Sequence, residues 1–135
     1  MLVPPIVRYM ILCNDWETDV KNQNRINIFG LLSHIFPVDT PAYPLVQRKI
    51  CVFLALTEVR GVGKVRIKCV FEETGQLAFQ TAEMEIRGGA DPLAIEAVSF
   101  RILGCTFPIP GMYSIQFWYN EAMVHECPLH LRRPK

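Results

Sequence analysis

Along most of this chain apolar and polar residues alternate, and a period of two predicts β-strands. The clearest run puts Tyr113, Ile115, Phe117 and Tyr119 on one face and Ser114, Gln116, Trp118 and Asn120 on the other. A turn over residues 104–111, carrying Pro108, Pro110 and Gly111, feeds that strand, and Gly111 is expected at positive φ. Val65, Ile67, Cys69 and Phe71 alternate with Arg66 and Lys68, and Val98, Phe100 and Ile102 alternate with Ser99 and Arg101. Residues 50–56 are apolar throughout, so that strand lacks a wet face. About eight strands are predicted, over residues 6–13, 26–36, 50–57, 64–71, 77–86, 94–103, 113–120 and 123–131. Gly30 is expected to mark a bulge in the second. Pro128 is expected to hold the last at a sheet edge or at a bulge. The spacing of turn signals predicts an all-β fold, an antiparallel β-sandwich of immunoglobulin-like character, with a small β-barrel as the alternative.

Composition narrows this to one sandwich domain over residues 1–135, half of whose residues are hydrophobic and a fifth charged. A formal net charge of +1 argues against a nucleic-acid partner. Residues 1–13 are apolar, but Pro4, Pro5 and Arg8 interrupt them and no basic stretch precedes them, so a signal peptide is not expected. Apolar runs fall short of a membrane-spanning helix. The five cysteines, Cys13, Cys51, Cys69, Cys105 and Cys127, are odd in number and form no C-x-x-C, so free thiols in a cytoplasmic protein are expected.

Candidate chemistry is sparse. Gly61-Val62-Gly63-Lys64 lacks the other residues of a phosphate loop and reads as a hairpin turn. Asp15, Glu17 and Asp19 alternate as calcium-binding acids do, yet read better as a solvated turn. His125 and Cys127 share one strand face while His130 takes the other, so a regular strand cannot converge them on a metal. His34 has no partner nearby in sequence. Trp118, turned outward between Gln116 and Asn120, is the candidate binding residue, because an indole among amides suits a sugar or a protein contact. A loop such as residues 37–44 folding over it is the alternative.

Cys13-Asn14-Asp15, Ile26-Asn27-Ile28-Phe29-Gly30-Leu31, and Phe107-Pro108-Ile109-Pro110-Gly111-Met112-Tyr113 leading into Phe117-Trp118 together resemble an uncharacterised family of small bacterial proteins, a domain of unknown function. The resemblance implies a sandwich-like domain and a bacterial source, and it transfers no catalytic residue.

The reading is a non-catalytic binding or assembly module, needing no cofactor, that acts through a protein or sugar contact. The alternative is a small hydrolase or metal-dependent enzyme using Asp15, Glu17 or the histidines. Arg66 and Lys68 are expected on the hairpin partner of strand 50–57. An outward apolar row, Val52, Leu54 and Leu56 with a three-residue loop or Cys51, Phe53 and Ala55 with a four-residue one, is therefore expected to pair two copies as a homodimer. Cover by residues 37–44 or by the N-terminal segment within one chain is the alternative.

Overall fold

The computed structural model describes residues 3–23 and 25–134, so Met1, Leu2, Asn24 and Lys135, parts of the apolar start, the polar turn and the basic tail, lie outside the described residues. Ten strands follow in order: β1 (Ile6–Thr18), β2 (Ile26–Leu31), β3 (His34–Ile35), β4 (Leu45–Thr57), β5 (Val62–Phe71), β6 (Leu77–Gln80), β7 (Met84–Arg87), β8 (Glu96–Phe107), β9 (Gly111–Tyr119) and β10 (Ala122–Leu131). They form two sheets, one ordered β2-β1-β4-β8 and the other β3-β10-β9-β5-β6, with β7 also on β5. The sheets pack as a sandwich and neither closes into a barrel. Among the described residues no helix is long and apolar enough to cross a membrane.

One cluster fills the space between the sheets. Leu12, Ile50, Val52, Leu54, Leu56, Val98 and Phe100 enter it from the first sheet. Val65, Ile67, Cys69, Phe71, Tyr113, Ile115, Phe117 and Tyr119 enter it from the second. These are the inward rows that the alternation of β5 and β9 predicts. Phe107 of β8 meets Phe79 of β6 edge-on at 5.6 Å and Tyr113 of β9 at 5.1 Å, so aromatic rings join the two sheets. Tyr113 donates its hydroxyl to the Ile109 carbonyl at 2.7 Å, four residues back, as the tyrosine corner of such sandwiches does.

The expected hairpin between β4 and β5 is overturned. β4 lies between β1 and β8 in one sheet, whereas β5 lies between β9 and β6 in the other, so residues 58–61 form a corner. Glu58 and Gly61 turn that corner with φ of 61° and 68°. The strand expected over 77–86 divides because Thr81 breaks the ladder. Its Oγ1 accepts from the Ile67 N–H, and β6 and β7 then follow one another along β5. The strand expected over 26–36 also divides, β2 staying beside β1 and β3 crossing to pair with β10. Gly30 has a φ of 66°, but the register across it is unbroken (Asp15↔Phe29, Cys13↔Leu31), so no bulge sits there. The Asn14 side chain occupies the space a Cβ at Gly30 would need. Pro128 does lie on a bulged strand: β10 shifts register between Met123 and His125, and β3 covers only its last two residues.

Candidate functional site

The sandwich presents two outward faces, and they differ in chemistry. On the β5–β9 sheet the outward row of β5 is Lys64, Arg66 and Lys68, beside Gln116 and Trp118 of β9 and Glu126 of β10. Trp118 is half-buried there. The Lys68 ammonium lies 3.8 Å from the centre of its ring, and its indole N–H donates to Gln116 Oε1 at 2.9 Å. Arg66 donates to Gln80 Oε1 and pairs with Glu83 at 3.4 Å. The cleft lined by Lys64, Arg66, Lys68, Glu83, Trp118 and Glu121 holds about 120 Å³, well below the roughly 300 Å³ at which small-molecule pockets begin.

Asn120 serves the backbone. It and Glu121 form a two-residue loop between β9 and β10, with φ of 47° and 66°, the signature of a type I′ turn. Its Oδ1 accepts from the Lys64 N–H at 2.9 Å. Trp118 and Gln116 are thus brought together, while Asn120 builds a turn.

The outer face of the β1–β4 sheet is apolar. Core-facing positions of β4 are even-numbered from Ile50 to Leu56, so Cys51, Phe53 and Ala55 point outward. Register then defines rows across the sheet: Leu31–Cys13–Cys51–Arg101, Ile11–Phe53–Ser99, and Tyr9–Ala55–Ala97. Phe53 is covered by Tyr9, stacked at 6.4 Å, and by the edge of Trp16 at 5.6 Å. Of the two expected rows, that of Val52, Leu54 and Leu56 is corrected, since all three are 0% exposed in the core; Cys51, Phe53 and Ala55 do point outward, but Phe53 keeps only 4% exposure. Cover by the N-terminal strand is the arrangement found. Large apolar side chains open on this face are Tyr9 at 49%, Phe29 at 47% and Leu31 at 74%, with Leu103 at 75% beyond Lys49 on β8.

One rim of that face is an ion cluster. Asp15 accepts from Lys49 Nζ at 2.7 Å, from Arg101 Nε at 3.4 Å and from the Trp16 N–H at 2.8 Å. The Lys49 hydrogen bond, helped by that N–H, pulls its carboxyl down to about 2. Arg101 also donates to the Trp16 carbonyl at 3.0 Å and lies 4.6 Å from its ring centre. The Trp16 indole N–H is buried with no acceptor among the described residues. Glu17 pairs with Asn27 across the strand, and Asp19 accepts from the Lys21 N–H at 3.5 Å. The three acids therefore do not converge on a common point. Among the described residues no three His, Cys, Asp or Glu side chains are grouped to hold a metal.

His125 and Cys127 oppose Phe117 and Ile115, on the inward face, and His130 opposes Met112, on the outward face, as alternation requires. Sequence reasoning missed the neighbour of His130. Parallel pairing of β3 with β10 sets it beside His34 with ring centres 5.6 Å apart. No sequence-local signal points to this pair, because only the crossing of β3 to the second sheet creates it. The five cysteines are free thiols, and burial pushes Cys105 and Cys127 up to about 11.

No curated protein matches the chain. Residues 8–132, nearly its whole length, match the family described as Family of unknown function (DUF6941), and the chain belongs to that family.

Proposed function

We propose that the protein is a non-catalytic assembly module that pairs with a second copy of itself through the outer face of the β1–β4 sheet. The contrast between its two outward faces carries this reading. A sandwich ordinarily turns polar side chains to water on both sides. The β5–β9 sheet carries Lys64, Arg66, Lys68 and Gln116 there, with Met112 and Met123 among its open apolar side chains, whereas the β1–β4 sheet leaves Tyr9, Phe29 and Leu31 open around an aromatic seam. Tyr, Trp and Arg, here Tyr9, Trp16 and Arg101, are the residue types that dominate interface energetics.

A second copy is the occupant for two reasons. The rim carries both signs, Asp15 and Glu17 against Lys49 and Arg101, so a two-fold axis can set each beside its opposite. A net charge of +1 gives two copies little repulsion. Sedimentation at micromolar concentration tests this: wild type is expected as a dimer and Leu31→Glu as a monomer. Leu93→Glu, equally exposed but in the loop before β8, is expected to stay dimeric. A wild type that sediments as a monomer overturns the reading.

The sugar-binding alternative at Trp118 is less well supported, because Lys68 already covers its ring and Gln116 its N–H. The hydrolase alternative is weakened because Asp15 is engaged by two cations.

A further inference from the structure

Cys13 and Cys51 face each other across β1 and β4. Both stand on the outer face of their sheet, and neither belongs to the core cluster. Opposed residues of antiparallel strands have Cα atoms roughly 4.5–5.5 Å apart, inside the roughly 4.4–6.8 Å that a disulfide spans. Strands β2 and β8 flank this pair and fix its register, which holds the two residues opposite each other. Cys51 already leans toward β1, its Sγ lying 3.5 Å from the Asn14 carbonyl oxygen. The other cysteines are placed differently: Cys69 and Cys105 sit in opposite sheets within the core, and Cys127 lies on β10.

The two sulfurs are not equivalent. Arg101 stands across from Cys51, and Lys49 occupies the next outward position on the same strand. Cys13 faces Leu31 instead. Those cations favour thiolate, and the Asp15 carboxylate, whose Oδ1 lies 3.9 Å from the Cys51 sulfur, offsets part of their effect; Cys13 has no cation opposite it, so Cys51 is taken as the attacking sulfur. We infer that this pair is a redox-modification site for small-molecule disulfides, with Cys51 attacking and Cys13 resolving.

The Cys51 thiolate attacks one sulfur of the small disulfide, whose S–S bond breaks to release the first thiol. Cys13 as thiolate then attacks the Cys51 sulfur of the mixed disulfide, releasing the second thiol and closing the Cys13–Cys51 bond. The two cysteine protons end on the two released thiols. The protein pair is oxidised by two electrons and the small disulfide is reduced by the same two. Burial first, then the Asp15 carboxylate for Cys51 and the Cys51 thiol and Asp15 for Cys13, raise both thiols above their ordinary value, so the reaction is slow at neutral pH and quickens as pH rises. Access depends on side-chain motion, since the flanking Leu31 and Arg101 are themselves exposed.

Fully reduced native protein, freed of reductant, is held overnight in dilute solution with excess hydroxyethyl disulfide at pH about 8.5, near the ordinary thiol pKa. It is then alkylated and weighed intact. Wild type is expected to lose two of its five titratable thiols, to carry no adduct, and to yield a peptide linked through Cys13 and Cys51. Cys13→Ser is expected to retain the adduct on Cys51, and Cys51→Ser to leave Cys13 free over the same period. Five free thiols in both treated wild type and treated Leu31→Glu, or a link through any other cysteine, overturns the inference. Wild-type mapping decides the matter even where a variant folds poorly, and Leu31→Glu, expected to be a monomer, is treated in parallel so that cover of Cys13 by a second copy is told apart from a pair that does not react.

Discussion

Asp15 is the residue whose environment most alters its chemistry. Its folded pKa of about 2 lies below the ordinary 3.8, so folding favours the ionised form. For a depressed carboxylate that contribution is whole above the ordinary value and lost as pH falls through the folded one. The wild-type urea midpoint should therefore drop more steeply than that of Asp15→Asn between about pH 4 and about pH 2. The difference should be small, because the Asp15 and Lys49 side chains both remain well exposed and water screens the pair. Parallel profiles for the two proteins would show that the Lys49 contact does not persist in solution.

Gly111 opens β9 with a φ of 139°, and a Cβ there would meet the Phe71 ring at 2.7 Å. Backbone strain and overlap act in the same direction, so Gly111→Ala should destabilise by about 1 kcal/mol or more. An unchanged urea midpoint would contradict this. Glu121 is the converse case, a residue with a Cβ held at a φ of 66° in the second position of a type I′ loop. That position prefers glycine, so Glu121→Gly should stabilise by about 0.5 kcal/mol after glycine's own entropy cost. Thermal melting of the variant beside wild type checks the sign.

At the scale of elements, β4 organises the molecule. From Ile50 to Leu56 its even positions fill the core, and of its odd ones Phe53 is covered by Tyr9 and Trp16 of β1, which accounts for a stretch with no polar side chain. Leu54→Ala should cost about 2–5 kcal/mol, as deletion from a packed core does. Leu54→Glu, which would leave a carboxylate unpaired between the sheets, should fail to fold rather than merely fail to dimerise. A soluble Leu54→Glu with a native circular dichroism spectrum would refute that placement. The strands legible in sequence are those with one wet face, β5 and β9, because alternation records the difference between core and water. β1 was expected to end at Cys13, yet it continues through Asp15 and Glu17 to Thr18, since polar residues pair in a ladder as readily as apolar ones. β8 was expected to end at Leu103, yet it passes through Gly104 at φ 65° to Phe107. Leu103 points outward, while Cys105 and Phe107 return to the core, so the glycine reverses the alternation that periodicity follows. Which sheet a strand joins was not legible at all. The short link after β4 looks like a hairpin, and only packing makes it a corner.

For the whole molecule, the difference between its two outward faces was legible only in half. The outward position of Trp118 follows from alternation, whereas the open patch of Tyr9, Phe29 and Leu31 requires knowing that β2 lies beside β1. If that patch joins two copies, burial of apolar surface must outweigh the rim charges. Fully burying a leucine or phenylalanine side chain contributes roughly 1.5–3 kcal/mol, and an exposed ion pair about 0–1 kcal/mol. Screening should thus matter little, and the dimer constant should change by less than about threefold between low and high sodium chloride. Sulfate, excluded from protein surface, should tighten the dimer instead. Sedimentation across both salt series checks this. Dissociation driven by sodium chloride alone would assign the contact to Asp15, Lys49 and Arg101 rather than to Leu31 and its neighbours.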